Sequence, residues 1–275
     1  MEDLRNIQQL LLEMTIDFDK YCRERNIVYY LAYGSCLGAV RHNGFIPWDD
    51  DIDVWMLPDD FIRFRALNIQ NYNTIYFHQN KITEKNYYLT FDKIRRRNTS
   101  AIDVRFLSYN VNQGIFIDVF PLYYLPDNIV KKIWFYILFF LYKYANLIIV
   151  YNSEYYFKTL IGKFARIVVN LFSIKNINKL CLFFQKELLK FPKSKYLIDL
   201  EQKPVTKFYT EDFLATINCD FNHTKFSIPK GYDRILKMIY GNYMKLPKVE
   251  DRYNHSEYIY DVNVNYEKKI KILKK

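Results

Sequence analysis

The chain has 275 residues, half apolar and nearly a fifth aromatic, with 40 Lys and Arg against 30 Asp and Glu for a net charge of +10. That apolar content excludes a disordered chain, and the length fits one sizeable domain with an insertion or two small domains. Cys22, Cys36, Cys181 and Cys219 are far apart with no C-x-x-C pair, which argues against a disulfide framework or zinc knuckle and for free thiols in a reducing compartment.

Met1 to Gln9 is polar and mixed in charge, without the apolar stretch of a signal peptide. Leu4, Ile7, Leu11, Met14, Phe18 and Cys22 recur at three- and four-residue steps, which predicts an amphipathic helix over 4–25. Val28 to Tyr33 reads as a short strand ending in a turn at Gly34-Ser35. Ile52 to Leu57 is a second strand, stopped by Pro58, after which Asp59 and Asp60 supply the acidic first turn of a helix through Leu67. Thr74 to His78, Tyr88 to Ile94 and Ile115 to Phe120 are further strands, the last closed by Pro121. Strand and helix alternate, so the first 125 residues predict a small α/β unit.

The character then changes. Between Ile129 and Tyr196 stand twelve Lys or Arg against Glu154 and Glu187 alone, so this segment carries the whole net charge of the chain. Ile133 to Tyr151 is almost entirely apolar or aromatic, and Leu160 to Leu189 is basic, amphipathic helix material. Three readings stand for this segment: helices packed within the protein, an element lying in a membrane interface, or a true span. Lys143 counts against the span, since a lysine at the bilayer centre costs roughly 2.5 kcal/mol or more. The long apolar runs between the charges, with no recognition motif, lead us to expect no nucleic-acid partner. The rest is mixed and polar, with a helix over Tyr232 to Tyr240 ended by Gly241 and a solvated basic tail from Lys268 to Lys275.

The chemistry concentrates in Ile46-Pro47-Trp48-Asp49-Asp50-Asp51-Ile52-Asp53-Val54. Four carboxylates in five positions raise one another's pKa unless a cation neutralises them. Alternation along a strand puts Asp49, Asp51 and Asp53 on one face and turns Asp50 away, and three convergent carboxylates suit Mg²⁺ or Mn²⁺. An acidic turn is the plainer alternative, but the flanking Trp, Ile and Val and the lack of calcium-loop spacing speak against it. Upstream, Tyr33-Gly34-Ser35-Cys36-Leu37-Gly38-Ala39-Val40-Arg41 enters a helix through a Gly-Ser turn. Backbone N–H groups at Gly34 and Ser35, the Ser35 hydroxyl and the Arg41 guanidinium suit phosphate oxygens. Cys36 has no neighbouring base and is not assigned as a nucleophile. His42 and His255 are weaker candidate substrate contacts, and Arg95 to Arg97 read as solvent-facing edge positions.

The run Y-L-A-Y-G-S-C-L-G-A-V-R-H-N-G-F-I-P-W-D-D-D-I-D-V from Tyr30 to Val54 resembles the signature of the LicD family of phosphocholine transferases, which the fukutin-related proteins share. Gly114 to Leu122 (G-I-F-I-D-V-F-P-L) and Tyr240 to Pro247 (Y-G-N-Y-M-K-L-P) match in the same order, while the basic middle is not diagnostic. Family members usually carry Gly-Thr-Leu-Leu-Gly where Gly34-Ser35-Cys36-Leu37-Gly38 stands here, and serine keeps the hydroxyl.

The resemblance implies an α/β (α+β) architecture, a divergent nucleotidyltransferase-like fold with a small mixed sheet flanked by helices. Residues 1–128 would form the catalytic core, 129–196 a helical basic insertion, and 197–275 a segment completing the core. It implies Mg²⁺ or Mn²⁺ held by the catalytic residues Asp49, Asp51, Asp53 and Asp118, with Gly34, Ser35, Arg41, Trp48, Lys93 and Tyr243 binding substrate. The implied reaction moves phosphocholine from a CDP-choline-like donor to a hydroxyl of a cell-surface glycan, lipopolysaccharide or a lipid-linked precursor. Phosphoethanolamine, ribitol phosphate or a sugar phosphate are alternative groups, and a non-catalytic membrane- or nucleic-acid-binding protein is the rival of another class. The expected location is cytoplasmic, peripheral at the inner membrane face, with possible lipid contact through 129–196.

Overall fold

Ile7, Leu11, Met14, Phe18 and Cys22 close one face of helix α1 (Glu2–Glu24) against the core in the computed structural model, which describes residues 2–201, 206–252 and 258–274. Strand β1 (Tyr30–Leu31) turns directly into α2 (Tyr33–His42), and β2 (Asp53–Met56) follows. Helix α3 (Pro58–Leu67) starts on Pro58, whose missing N–H costs nothing in a first turn, with Asp59 and Asp60 at its positive end. Next come β3 (Tyr76–Gln79), β4 (Asp92–Arg96), β5 (Ser100–Asp103) and β6 (Phe116–Leu125). The basic segment holds α4 (Ile129–Tyr151), α5 (Leu160–Phe172) and α6 (Ile174–Leu189). Strands β7 (Tyr196–Asp199) and β8 (Lys207–Tyr209), the hairpin of β9 (Thr216–Phe221) and β10 (Thr224–Pro229), α7 (Tyr232–Tyr240), β11 (Tyr258–Asp261) and α8 (Tyr266–Leu273) complete the described chain.

The main sheet is mixed, in the order β1-β2-β6-β4-β3. Strand β2 runs parallel to β6, and the other ladders of this sheet are antiparallel. All ten residues of β6 are buried, Asp118 being the one charged residue in an otherwise apolar and aromatic strand. Pro121 does not close β6, contrary to expectation. It stands where the strand changes partners, between the β4 ladder ending at Val119 and the β7 ladder beginning at Leu122. A proline is tolerated where a ladder passes from one neighbour to the next.

One other expectation changes. Arg95 is buried rather than solvent-facing, because β4 is an inner strand; its guanidinium donates to Gln79 Oε1 (2.6 Å) and the Gly114 carbonyl (2.7 Å). The basic tail is solvated as expected, with Lys268, Lys271 and Lys274 exposed, but it is helical to Leu273 and tied back by the Tyr266 N–H to the Thr99 carbonyl (3.1 Å) and by Lys269 to Asp261 (2.9 Å). Strand β11 pairs with β5, and the β9–β10 hairpin reaches α2 through the Asn222 N–H to the Asn43 carbonyl (2.8 Å).

Helix α4 buries Phe135, Leu138, Tyr142, Asn146 and Ile149, one face at helical spacing. Polar bonds fasten that face. Tyr142 Oη donates to the Thr90 carbonyl (2.8 Å), Asn146 Nδ2 to the Tyr88 carbonyl (2.8 Å), and buried Lys81 to Asn146 Oδ1 (2.6 Å). Between α5 and α6 the axis turns by 93° at Ser173, whose φ is 63°.

Candidate active site

The turn from β1 into α2 is laced to the start of β2. The Ala32 N–H donates to the Asp53 carbonyl (2.8 Å), and buried Ser35 Oγ accepts the Asp53 N–H (2.9 Å). Tyr33 takes a left-handed φ of 42° at this turn, an uncommon conformation for a bulky residue and one often found at functional sites. Its hydroxyl bonds buried Asp199, which also accepts from Trp55 Nε1 (2.7 Å). Gly34 is required by close approach: a Cβ there would stand 2.7 Å from Asp49 Oδ2. Gly38 likewise lets the following loop lie on α2, since a Cβ would stand 2.5 Å from the Gly44 carbonyl. The N-cap residue of α2, Ala32, makes no side-chain cap bond, and Gly34 in the first turn lies against the Asp49 carboxylate.

Strand β2 begins only at Asp53, so strand alternation does not govern the residues before it. Asp50 is therefore not turned away: the carboxylates of Asp49, Asp50 and Asp51 come within 4.8 Å of one another. Gln8 of α1 steadies this loop by donating to the Asp49 carbonyl (2.8 Å). Asp53 is the register partner of Asp118 on parallel β6, and Asp118 is the partner of Lys93 on β4. The three side chains thus form a row on one face of the sheet. Lys93 is 1% exposed; its Nζ lies 2.5 Å from Asp118 Oδ1 and 3.3 Å from the centre of the Phe116 ring.

Electrostatics follow from this crowding. Desolvation first, then Asp51, Asp118 and Asp49, push the Asp53 carboxyl well above the usual range, with Lys93 opposing. Burial draws the Lys93 ammonium down to about 8 despite Asp118. The site holds more negative charge than the lysine balances, and its donors are all hard carboxylate oxygens. That set fits Mg²⁺ or Mn²⁺.

Beside the carboxylates opens a cleft of about 740 Å³, lined by Gly34, Arg41, Trp48, Asp49, Tyr240 and Tyr243 among others. Arg41 donates to the Tyr243 carbonyl (2.7 Å) and from Nε to His42 Nε2 (2.9 Å), and Tyr243 Oη donates to Asp233 (2.9 Å). The Arg252 guanidinium lies 4.5 Å over the Trp48 ring. Gly34, Arg41, Trp48, Asp49 and Tyr243 therefore share one cavity, whereas Ser35 and Lys93 are buried and hold Asp53 and Asp118. His42 meets the Trp48 ring edge-on, and His255 lies outside the described residues. Cys36 is fully buried, and burial pushes its thiol far up, which suits no nucleophile. Asp50, Asp199 and the charged residues Lys245, Lys248 and Asp251 of the cleft escaped sequence reasoning. Of these, Asp50 stood within the acidic run but was turned away by strand alternation, and Lys245 lies within the Y-G-N-Y-M-K-L-P segment.

The family described as LicD/FKTN/FKRP, nucleotidyltransferase domain, matches residues 26–170, and thus runs through α4 and most of α5. The chain is 30% identical, over 92% of its length and 95% of the relative's, to the lipopolysaccharide cholinephosphotransferase LicD of Haemophilus influenzae. Shorter matches, 39% and 37% identical over 21% of the chain, are to uncharacterized proteins of Rickettsia typhi and Rickettsia prowazekii, covering 18% and 21% of their lengths. The chain belongs to the LicD family. The basic segment, undiagnostic in the sequence, is partly family sequence.

Proposed function

We propose that the chain is a metal-dependent phosphotransferase that moves phosphocholine from CDP-choline to a hydroxyl of lipopolysaccharide or a lipid-linked glycan precursor. The observation that carries this reading is the Asp53–Asp118 row beside the Asp49–Asp51 loop, opening on a cleft that Gly34 in the first turn of α2 also lines. Similarity to the Haemophilus cholinephosphotransferase supports the transferred group. In this reading residues 1–128 and 197–275 build a divergent nucleotidyltransferase core around the 129–196 insertion.

Asp49, Asp51, Asp53 and Asp118 would hold the divalent ion, which when bound neutralises diphosphate charge and lowers the pKa of an acceptor hydroxyl. The α2 N–H groups at Gly34 and Ser35 and the Arg41 guanidinium bind phosphate oxygens. Trp48 and Tyr243 shape the space for the donor, and Lys93 balances charge at Asp118. A carboxylate, Asp49 or Asp118, takes the proton of the acceptor hydroxyl. Its oxygen forms the new bond to the phosphorus bearing choline, the P–O–P bridge breaks, and CMP leaves with the bridging oxygen. The enzyme works on the cytoplasmic side, peripheral at the membrane.

Turnover of CDP-choline with Mg²⁺, measured on Asp51→Ala and Asp53→Ala beside circular dichroism, tests the site. Both variants should keep the fold and lose turnover; activity in either refutes the assignment.

A further inference from the structure

We infer that helices α4 to α6 form a docking face for an anionic lipid surface, lying in its interface rather than crossing it. Helix α5 carries the clearest evidence. Gly162 and Ala165 face the protein, while Leu160, Phe164, Ile167 and Leu171 are 83%, 61%, 59% and 73% exposed. Their spacing of four, three and four residues aligns them as one outward stripe. On α4 the face opposite the buried one exposes Ile133, Trp134, Ile137, Phe140, Leu141 and Tyr144. An apolar area spread over neighbouring helices marks an interaction surface, because isolated soluble chains expose such residues singly.

Charge decides the occupant. Exposed Lys158, Lys163 and Arg166 accompany the α5 stripe, and exposed Lys175 and Lys179 follow at the start of α6. Only Glu154 and Glu187 oppose the segment's twelve cations, and Glu187 is taken by Lys190 at 2.5 Å. Apolar stripes edged by cations suit an acyl boundary beneath anionic headgroups. A second copy of this chain would instead set like charges against each other. Crossing is opposed by the polar bonds that hold α4 to the 85–90 loop. Helix α6 adds others through Asn178 Nδ2 to the Lys85 carbonyl (2.6 Å) and Gln185 Nε2 to the Thr90 carbonyl (3.0 Å). With α5 and α6 bent at 93°, these helices present one side to lipid and keep the other on the protein.

This deepens the membrane placement proposed above, and its test reads no turnover, so the two readings fail separately. The full chain is sedimented with phosphatidylcholine vesicles, with and without phosphatidylglycerol, at low and high salt. Binding should require phosphatidylglycerol and weaken with salt. The triple substitution Leu160→Glu, Phe164→Glu, Leu171→Glu, all outward positions, should weaken it by about tenfold or more with an unchanged dichroism spectrum. Lys163→Glu with Arg166→Glu should remove the preference for the anionic lipid. No binding by the parent chain, or parent-like binding by the triple variant, overturns the inference. So does a dimer that the triple variant abolishes while vesicles go unbound.

Discussion

Lys93→Met removes the ammonium that lies 2.5 Å from Asp118 and over the Phe116 ring, while keeping a side chain of similar length. Asp118 and its register partner Asp53 then lose the buried charge that opposes theirs. Breaking one side of a buried ion pair costs about 3–5 kcal/mol, against a total stability of about 5–15 kcal/mol for a domain. The variant should therefore stay folded yet melt roughly 5–9 °C lower. Adding Asp118→Asn neutralises the other partner and should restore much of that loss, since a neutral pair of similar volume is close to isoenergetic. Turnover should stay absent in both. Thermal unfolding by circular dichroism, run beside CDP-choline turnover, reads both quantities. Parent-like stability of Lys93→Met would refute the buried pairing, and recovered turnover in the double variant would remove Asp118 from catalysis.

Ser35→Ala deprives the Asp53 N–H of its acceptor, which should cost about 1–3 kcal/mol in urea unfolding; Ser35→Thr keeps the hydroxyl and should behave like the parent. Asp92 governs acid stability. Burial alone would raise its carboxyl, but the Arg65 guanidinium and the His78 ring outweigh that and bring it to about 2, below the ordinary 3.8. A carboxyl depressed on folding stabilises fully above the unfolded value, so about 2 kcal/mol should be lost as pH falls from roughly 5 to 2. Urea midpoints across that range should show the loss for the parent and none of this component in Asp92→Asn, which is destabilised throughout.

Much of the frame was legible because local signals agreed with global packing. The periodic apolar residues of α1, Pro58 at the start of α3 and Gly241 after α7 each act within a few residues, and the structure follows them. The acidic run was legible for a similar reason, since four adjacent carboxylates are costly without a purpose. What stayed hidden depends on register and distant partners. Asp50 was misplaced because β2 begins at Asp53, and Arg95 because nothing local shows that β4 is an inner strand. Asp199 bonds Tyr33 and Trp55 from far along the chain, with no motif to announce it. Nothing local announced that cross-strand register would set the Lys93 ammonium on Asp118.

The central claim is metal-dependent use of a cytidine diphosphate donor at the Asp49–Asp53 and Asp118 site. Calorimetric binding and slow hydrolysis of CDP-choline with and without Mg²⁺, scored against CDP-ethanolamine and CDP-ribitol, test it most directly. The account predicts Mg²⁺-dependent binding and turnover selective for CDP-choline, both abolished in Asp53→Ala. Turnover of another donor would keep the chemistry and replace the headgroup. Absence of metal-dependent binding for every cytidine diphosphate compound would contradict the account.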